Sequence, residues 1–574
     1  MSNEPIIAIK DVTFTYPGEN KPVLNNVSLA VERGSFVAIL GSNGSGKSTL
    51  CKLMNGLIPH YYVGDFEGTV TVNGIQTTTG KVATLSRHVG YVYQDFENQL
   101  VRPTVLDDAS FPALNYGFED YIDRGRKALD LAGLHVDPNE FIWQLSGGQK
   151  HLLALASVLS LDPDIIIVDE PIAQLDPEHA REFYRLLHSL NKDHEKTIIV
   201  IEHHTEFIAD YCDQVVLMDG GQVLWKKQTD EALQEVDELL TRHIYPPQVT
   251  EAAYKLGHYE KKWRWPITLD EAASFFSDEK LRKHRSCSNI EDAPKEELLI
   301  SFNDVSFSYK TLTRQRKQVL QNLSLSIYKG ENIALVGNNG AGKSSLLRLI
   351  TGLSKPDSGS VQVLHHDTKK IAPEQLADVV AFIYQNPEDM FIEDSIKKDI
   401  SFFLKARKRE AWEGKVGQLL ADFSLTELAN RDGRLLSGGQ QRRASLAIGV
   451  AMEPSIMLLD EPTANLDIAT KKDILNVLHQ VKGQVDTAII ATHDMQLVAE
   501  WATRIIVLHE GTVLHDGTRE SVFTDEYLLN RAGLQQPQIL QLSQRLGMPP
   551  TYSVNEFVTY RQRKEKILAH GIFP

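Results

Sequence analysis

Gly41-Ser42-Asn43-Gly44-Ser45-Gly46-Lys47-Ser48-Thr49 decides how this chain is read. It fits the pattern G-x-x-x-x-G-K-[ST], and it sits between the apolar run Phe36 to Leu40 and a helical-looking run from Leu50 to Leu57. A strand, a glycine-rich loop and a helix in that order make a phosphate loop. Glycines let the backbone curl until successive N–H groups point inward at a phosphate chain. The helix that follows adds its positive end. Lys47 is placed to reach the β- and γ-phosphates, and the Ser48 hydroxyl to hold Mg²⁺. The pattern occurs twice. Gly337-Asn338-Asn339-Gly340-Ala341-Gly342-Lys343-Ser344-Ser345 repeats it, with Lys343 in the role of Lys47 and Ser344 in that of Ser48.

The rest of the chain is duplicated around these loops. The alternating stretches Ile7 to Tyr16 and Val23 to Val31 return as Leu299 to Tyr309 and Val319 to Ile327, each with the period of a strand. Leu145-Ser146-Gly147-Gly148-Gln149 returns as Leu436-Ser437-Gly438-Gly439-Gln440. Ile165 to Pro171 returns as Ile456 to Pro462, and Ile198 to His203 as Ala488 to His493. Even Pro247 to Gly257 parallels Pro537 to Gly547, with a short helical stretch after each (268–276 and 553–560). Self-similarity on this scale means two copies of one domain, not a solenoid. It predicts a first domain at 1–240 with an appendix at 241–276, and a charged, non-periodic linker at 277–297. A second domain at 298–530 and its appendix at 531–574 complete the chain.

Composition narrows the classes. With 42% hydrophobic and 24% charged residues over 574 positions, this is an ordinary globular chain. A formal net charge of −16 argues against a general nucleic-acid binder, which needs clustered Lys and Arg. Cys51, Cys212 and Cys287 show no C-x-x-C spacing, so no disulfide framework, zinc site or iron–sulfur cluster is expected, and a reducing cytosol suits them. No apolar stretch approaches the ~18–20 residues that span a bilayer. The N-terminus lacks the marks of a signal peptide, and the chain is expected to stay in the cytoplasm.

The apolar runs ending in Asp169-Glu170 and Asp460-Glu461 read as buried parallel strands. Downstream of a phosphate loop, Asp169 and Asp460 belong to the Mg²⁺ shell. Glu170 and Glu461 face the γ-phosphate and position or deprotonate the attacking water.

Together these motifs resemble the ATP-binding cassette (ABC) family over nearly the whole chain. The resemblance implies an α/β P-loop NTPase fold with two tandem ABC ATPase domains. Each has an antiparallel β subdomain, a RecA-like core, an α-helical signature subdomain and a small appendix. It implies ATP and Mg²⁺ as cofactors. In the family, the signature (here Ser146 and Gly148, and Ser437 and Gly439) grips the γ-phosphate held by the opposite cassette. That implies head-to-tail pairing within the chain, Lys47 opposite Ser437 and Lys343 opposite Ser146. Tyr16 and Tyr309 are similar to the aromatic that stacks on adenine. Gln94 and Gln385 resemble the glutamine that completes the Mg²⁺ and water shell and senses the membrane partner. Asp176 and Asp467 resemble the aspartate of the loop that couples the two sites, and His203 and His493 the switch histidine. The first half departs in reading Glu202-His203-His204 for the family's Thr-His-Asp, and in having Lys150-His151 after its signature where the second half has Gln441-Arg442. Neither change removes a catalytic atom, so two competent sites are expected.

Within the family, Tyr93 to Leu100, Thr104-Val105 and Asp108 resemble the energy-coupling factor (ECF) ATPases. Gln385 to Asp389, Ile396, Asp399 and the Pro-Gln-Val-Thr-Glu appendix do likewise. This implies the ATPase of an importer, working with a transmembrane coupling subunit and a small substrate-binding membrane subunit. It would sit on the cytoplasmic face of the cell membrane and drive uptake of a vitamin, a vitamin precursor or a metal ion. The acidic residues Asp95, Glu97, Glu388 and Asp389 are expected to receive basic side chains of that partner. The alternatives are a tandem sugar-importer ATPase and a soluble twin-cassette ATPase acting on ribosomes or nucleic acid. Against the second stand the acidic composition and a spacer that repeats at the C-terminus.

Overall fold

The computed structural model describes residues 4–172, 175–257, 264–277, 297–310, 316–408, 410–464, 466–482 and 484–569. Residues 278–296 of the expected linker lie outside these, as do Gln174, Asn465 and Cys287. The chain forms two compact units, residues 1–280 with 558–574 and residues 281–557. The repeat assigns the C-terminal appendix to the second half, whereas its described residues 558–569 group with the first unit.

Among the described residues, the first unit has ten strands: β1 (Ile7–Thr15), β2 (Leu24–Val31), β3 (Phe36–Gly41), β4 (Asp65–Val72), β5 (Ile75–Gln76), β6 (Val89–Val92), β7 (Ile165–Asp169), β8 (Thr197–Ile201), β9 (Gln214–Asp219) and β10 (Gln222–Gln228). One sheet is antiparallel, in the order β2-β1-β4-β5. The other runs β10-β9-β3-β8-β7-β6 and is parallel except for its edge strand β10.

The second unit repeats the plan with β11 (Leu298–Lys310), β12 (Arg316–Tyr328), β13 (Asn332–Val336), β14 (Ser358–Val363), β15 (His366–Asp367), β16 (Val380–Ile383), β17 (Ile456–Asp460), β18 (Thr487–Ala491), β19 (Arg504–His509) and β20 (Thr512–Thr518). Its sheets run β12-β11-β14-β15 and β16-β17-β18-β13-β19-β20.

β3 is buried at every residue, as a parallel strand covered on both faces must be. Its side chains alternate between two cores. Val37 and Ile39 pack with Leu50 and Leu53 of the phosphate-loop helix and with Ile7 and Val70 of the β subdomain. Phe36, Ala38 and Leu40 pack on the opposite side with Leu153 and Leu155 of the signature helix (Gly147–Leu159). β13 divides in the same way, Ile333 and Leu335 to one core and Ala334 and Val336 to the other. Clamped on both faces, each central strand holds the loop at its carboxyl end in a fixed place. Asp169 pairs with Ile201 and Gly41 with Met218, so the loop, the carboxylates and the residues after β8 share one edge, where open α/β sheets bind ligands.

Each copy places one glycine where the edge strand meets the signature helix, but on opposite elements. Gly90 on β6 lies against the first signature helix, and a Cβ there would meet Val158 Cγ1 at 2.1 Å. The equivalent strand position holds Ala381, and the glycine has moved to the helix as Gly449, where a Cβ would meet Ile383 Cδ1 at 2.3 Å. Overpacking a filled core costs about 1–3 kcal/mol. Gly90→Ala is therefore expected to lower the thermal midpoint of the first unit by that equivalent, and an unchanged midpoint would show that Val158 turns aside freely.

Candidate functional sites

Each loop wraps through glycines in the left-handed region: Gly44 and Gly46 at φ 81° and 98°, Gly340 and Gly342 at 85° and 103°. Space is short as well, since a Cβ on Gly46 would approach Leu24 Cδ2 to 2.9 Å. The helix that follows starts at Lys47, whose Nζ donates to Gly41 O (2.8 Å) and Ser42 O (3.0 Å). Lys343 does the same to Gly337 O (2.6 Å) and Asn338 O (3.3 Å). Tyr16 and Tyr309 stand over these helices. The Tyr16 hydroxyl is 3.3 Å from that of Thr49, and the Tyr309 hydroxyl is 3.2 Å from that of Ser345. Phe14 and Phe307 hold the two rings edge-on at 4.9 and 4.8 Å.

The hydroxyl of the loop and the carboxylate of the strand end meet. Ser344 Oγ donates to Asp460 Oδ1 at 3.0 Å, and Ser48 hydrogen-bonds Asp169. Burial pushes both aspartates above the usual carboxylate range, and the serine hydrogen bonds oppose it. In the first unit alone, Tyr91 also donates to Asp169 Oδ2 (3.1 Å); the equivalent residue is Phe382. A serine hydroxyl, a carboxylate and a glutamine carbonyl are hard oxygen donors, and Mg²⁺ takes one or two carboxylates in company with substrate phosphates. Ser48, Gln94 and Asp169, and Ser344, Gln385 and Asp460, therefore fit Mg²⁺. Among the described residues no group of three or more His, Cys, Asp or Glu side chains forms a metal cage.

The neighbouring glutamates have a backbone that glutamate avoids. Glu170 has φ 50° and Glu461 φ 45°, a left-handed conformation that costs a non-glycine residue about 1–2 kcal/mol and that concentrates at functional sites. Hydrogen bonds to the next strand hold it, from Glu170 N to Ile201 O (3.0 Å) and from Glu461 N to Ala491 O (2.8 Å). Gln94 Nε2 donates to Glu170 Oε2 at 2.6 Å, and His203 Nε2 lies 3.3 Å from Oε1. In the second unit His493 Nδ1 is 3.0 Å from Glu461 Oε2, and Lys343 Nζ is 4.0 Å from Oε1. Burial would raise the Glu461 pKa, but His493 and Lys343 hold it below the usual range. Burial likewise works against the charge on His493, and Glu461 pulls its pKa above the ordinary imidazole value. Gln385 lines a cavity of about 510 Å³ together with Ser344, Asp460 and Arg442.

The signature has a structural role of its own. The Ser146 N–H donates to Gln149 Oε1 (2.9 Å), and the Gln149 N–H returns to Ser146 Oγ (3.3 Å). This is a capping box, and it accounts for the spacing of the serine and the glutamine. Ser437 donates likewise to Gln440 Oε1 (3.2 Å). A Cβ on Gly148 would meet the His179 ring at 3.1 Å, and one on Gly439 would meet Thr470 Cγ2 at 2.6 Å. These glycines let the signature helix approach the helix capped by Asp176 or Asp467, which accept from His179 N (3.1 Å) and Thr470 N (2.7 Å).

Sequence reasoning gave no role to the residues that tie the signature helix to the glutamine loop. In the second unit Arg442 is buried and donates to Tyr384 O (2.8 Å) and Gln385 O (2.6 Å). In the first, His151 takes that place, sandwiched between Phe96 (4.6 Å) and Phe183 (4.2 Å). Burial drives its pKa down to about 3. Because the unfolded chain takes the proton first, this contribution is complete above pH ~6.5 and is lost as pH falls toward the folded value. At pH 5 the loss is about 2 kcal/mol. His151→Phe is expected to abolish this part of the acid lability; the check is the thermal midpoint at pH 7.5 and pH 5 for both proteins. Equal slopes would mean that His151 takes up a proton in place.

The family model described as ABC transporter matches residues 24–173 and 320–464. A putative ABC transporter ATP-binding protein of Methanosarcina mazei is 30% identical over 99% of this chain and 98% of its own length. One of Caldanaerobacter subterraneus subsp. tengcongensis is 32% identical over 98% of this chain and its full length. Among solved structures, cbiO1 from Clostridium perfringens, described as part of the ABC transporter complex cbiONQ, is 31% identical. It covers 42% of this chain and 96% of its own, with a TM-score of 0.37. Each matched stretch contains one phosphate loop and one Asp-Glu pair, and the chain therefore belongs to the ABC transporter ATPase family, with two cassettes in one polypeptide.

Proposed function

We propose that the chain is the ATP-hydrolysing subunit of an ABC importer of ECF type. It couples ATP binding and hydrolysis at two composite sites to uptake of a vitamin, vitamin precursor or metal ion. Lys47 and Lys343 bind the β- and γ-phosphates, with the loop N–H groups around them. Ser48 with Asp169, and Ser344 with Asp460, hold Mg²⁺, which neutralises charge on the phosphates when bound. Glu170 and Glu461 take the proton of the attacking water, oriented by Gln94 and His203 in one unit and by His493 in the other. Tyr16 and Tyr309 stack on adenine, and Ser146 and Ser437 each close the site of the opposite cassette.

The observation that carries the hydrolytic reading is that both units keep the whole set. Each has a cation on the loop, a hydroxyl on the aspartate, and a left-handed glutamate with a histidine 3.0–3.3 Å away. The ECF assignment rests on the glutamine-loop and appendix sequences. The proposed contact with the transmembrane coupling subunit is a groove beside Gln94, about 230 Å³, lined by Tyr93, Val101, Phe111 and Pro112. Of the acids expected to meet basic side chains there, one is neutralised within the chain and two others accept only from neutral amides. Glu97 already pairs with Lys150 Nζ (2.6 Å), Asp95 accepts from Asn98, and Glu388 accepts from Gln441 (3.4 Å).

The test is affinity purification of the chain from its host's membranes in mild detergent, with mass spectrometry of what accompanies it. A polytopic coupling protein with a small hydrophobic partner supports the ECF reading. Paired sugar permeases favour the tandem sugar importer, and ribosomal proteins without a membrane protein overturn the transporter reading.

A further inference from the structure

Glu202 stands where the second half has Thr492, and the site already described makes no use of it. We infer that Glu202 is a positioning residue for His203, fixing by one buried carboxylate a loop that the second unit fixes with a threonine and an aspartate. Its side chain is 2% exposed, a costly place for a carboxylate unless every oxygen is engaged. Both are. Oε1 accepts the N–H groups of His203 (2.7 Å) and His204 (2.9 Å), and Oε2 accepts the Tyr184 hydroxyl (2.8 Å). Tyr184 is itself immobilised, with the rings of Phe207 and Tyr211 at 4.8 and 5.3 Å.

The second unit reaches the same end differently. Thr492 Oγ1 accepts the Asp494 N–H (3.0 Å), and Asp494 accepts from Leu497 N (3.1 Å) and the Thr463 hydroxyl (3.1 Å). The His493 N–H there turns to the catalytic candidate itself, Glu461 Oε2, at 3.4 Å. In the first unit Glu202 takes the corresponding N–H. Glu170 is then left with the Gln94 amide on one oxygen and the His203 ring on the other. The exchange of Thr for Glu thus changes what surrounds the general base without touching it.

This rests on the roles proposed for Glu170 and His203, and a control separates the two. Turnover is read in a Glu461→Gln background, where hydrolysis belongs to the first site. If that change alone silences the chain, the sites are interdependent, and the same variants are read in the unmodified protein, where a lesion in either site shows in full. Glu202→Leu keeps the volume and removes the acceptor. It is expected to lower kcat about ten- to a hundredfold, the range of a misplaced catalytic group, with the KM for ATP changed less than about threefold. Glu202→Gln keeps an acceptor of the same reach and retains most of the turnover. Glu202→Thr loses it, and adding His204→Asp restores it, which also decides the matter should the leucine variant not fold. The inference is overturned if Glu202→Leu turns over like its parent, if Glu202→Gln falls as far as Glu202→Leu, if KM moves as much as kcat, or if the Thr/Asp pair gives no rescue. Glu170→Gln is the control. Without a large loss there, the base assignment itself fails; with it, only the Glu202 inference is at stake.

Discussion

Replacing Glu170 and Glu461 together by glutamine is expected to reduce ATP turnover about 10²–10⁴-fold, the usual contribution of a general base, while ATP still binds. Glutamine preserves the size of the side chain and one acceptor oxygen, while it removes the charge and the basic oxygen that takes the proton. The phosphate-binding groups themselves are kept, and only Lys343 loses a charged neighbour, Glu461 Oε1 at 4.0 Å, so ATP binding is expected to persist. Phosphate release and equilibrium binding of ATP, measured on the same preparation, test both halves of the statement. A drop below about tenfold, or a loss of binding equal to the loss of turnover, would reassign the base.

Lys47→Ala acts on the other quantity. Hydrogen bonds to charged groups contribute about 1.5–3 kcal/mol each, so affinity at the first site is expected to fall at least tenfold. Part of that contribution is spent in exchange. Lys47 Nζ already donates to Gly41 O and Ser42 O, so phosphate oxygens compete with those carbonyls for its three N–H groups. The measured loss is therefore expected near the lower end of the range. Titration with a fluorescent ATP analogue in the Lys343→Ala background, where the second site is weakened in the same way, provides the number against the Lys343→Ala parent. Unchanged affinity would show that the backbone cradle alone binds the phosphates.

Much of this was legible beforehand for a physical reason. A phosphate loop requires glycines at fixed intervals, and a Mg²⁺-binding strand end requires its acid in place, so sequence and geometry are locked together. The paired carboxylates lie at the end of a buried parallel strand, as the apolar runs before them predict. What stayed hidden depends on contacts between elements far apart in the chain. Nothing in Tyr91 announces that its hydroxyl reaches Asp169, 78 residues on. His151 stands out in the sequence only as a departure from the second half, and nothing there shows that Phe96 and Phe183 close over it. The acids near Gln94 and Gln385 are expected from the sequence to receive basic side chains of a partner, and Lys150, 53 positions from Glu97, is what claims one of them. The backbone of Glu170 was equally invisible, because Asp-Glu-Pro carries no sign of a positive φ.

That backbone sets stability against activity at two points in the chain. Glycine fits the left-handed region at no steric cost, so Glu170→Gly would relieve about 1–2 kcal/mol of backbone energy and remove a charge that crowds Asp169. Against that gain stands the extra chain entropy a glycine loses on folding. At Glu461 there is also the pairing with His493 and Lys343 that holds its carboxyl below the usual range. The strained backbone and the charge it carries therefore pull the stability of the fold in opposite directions.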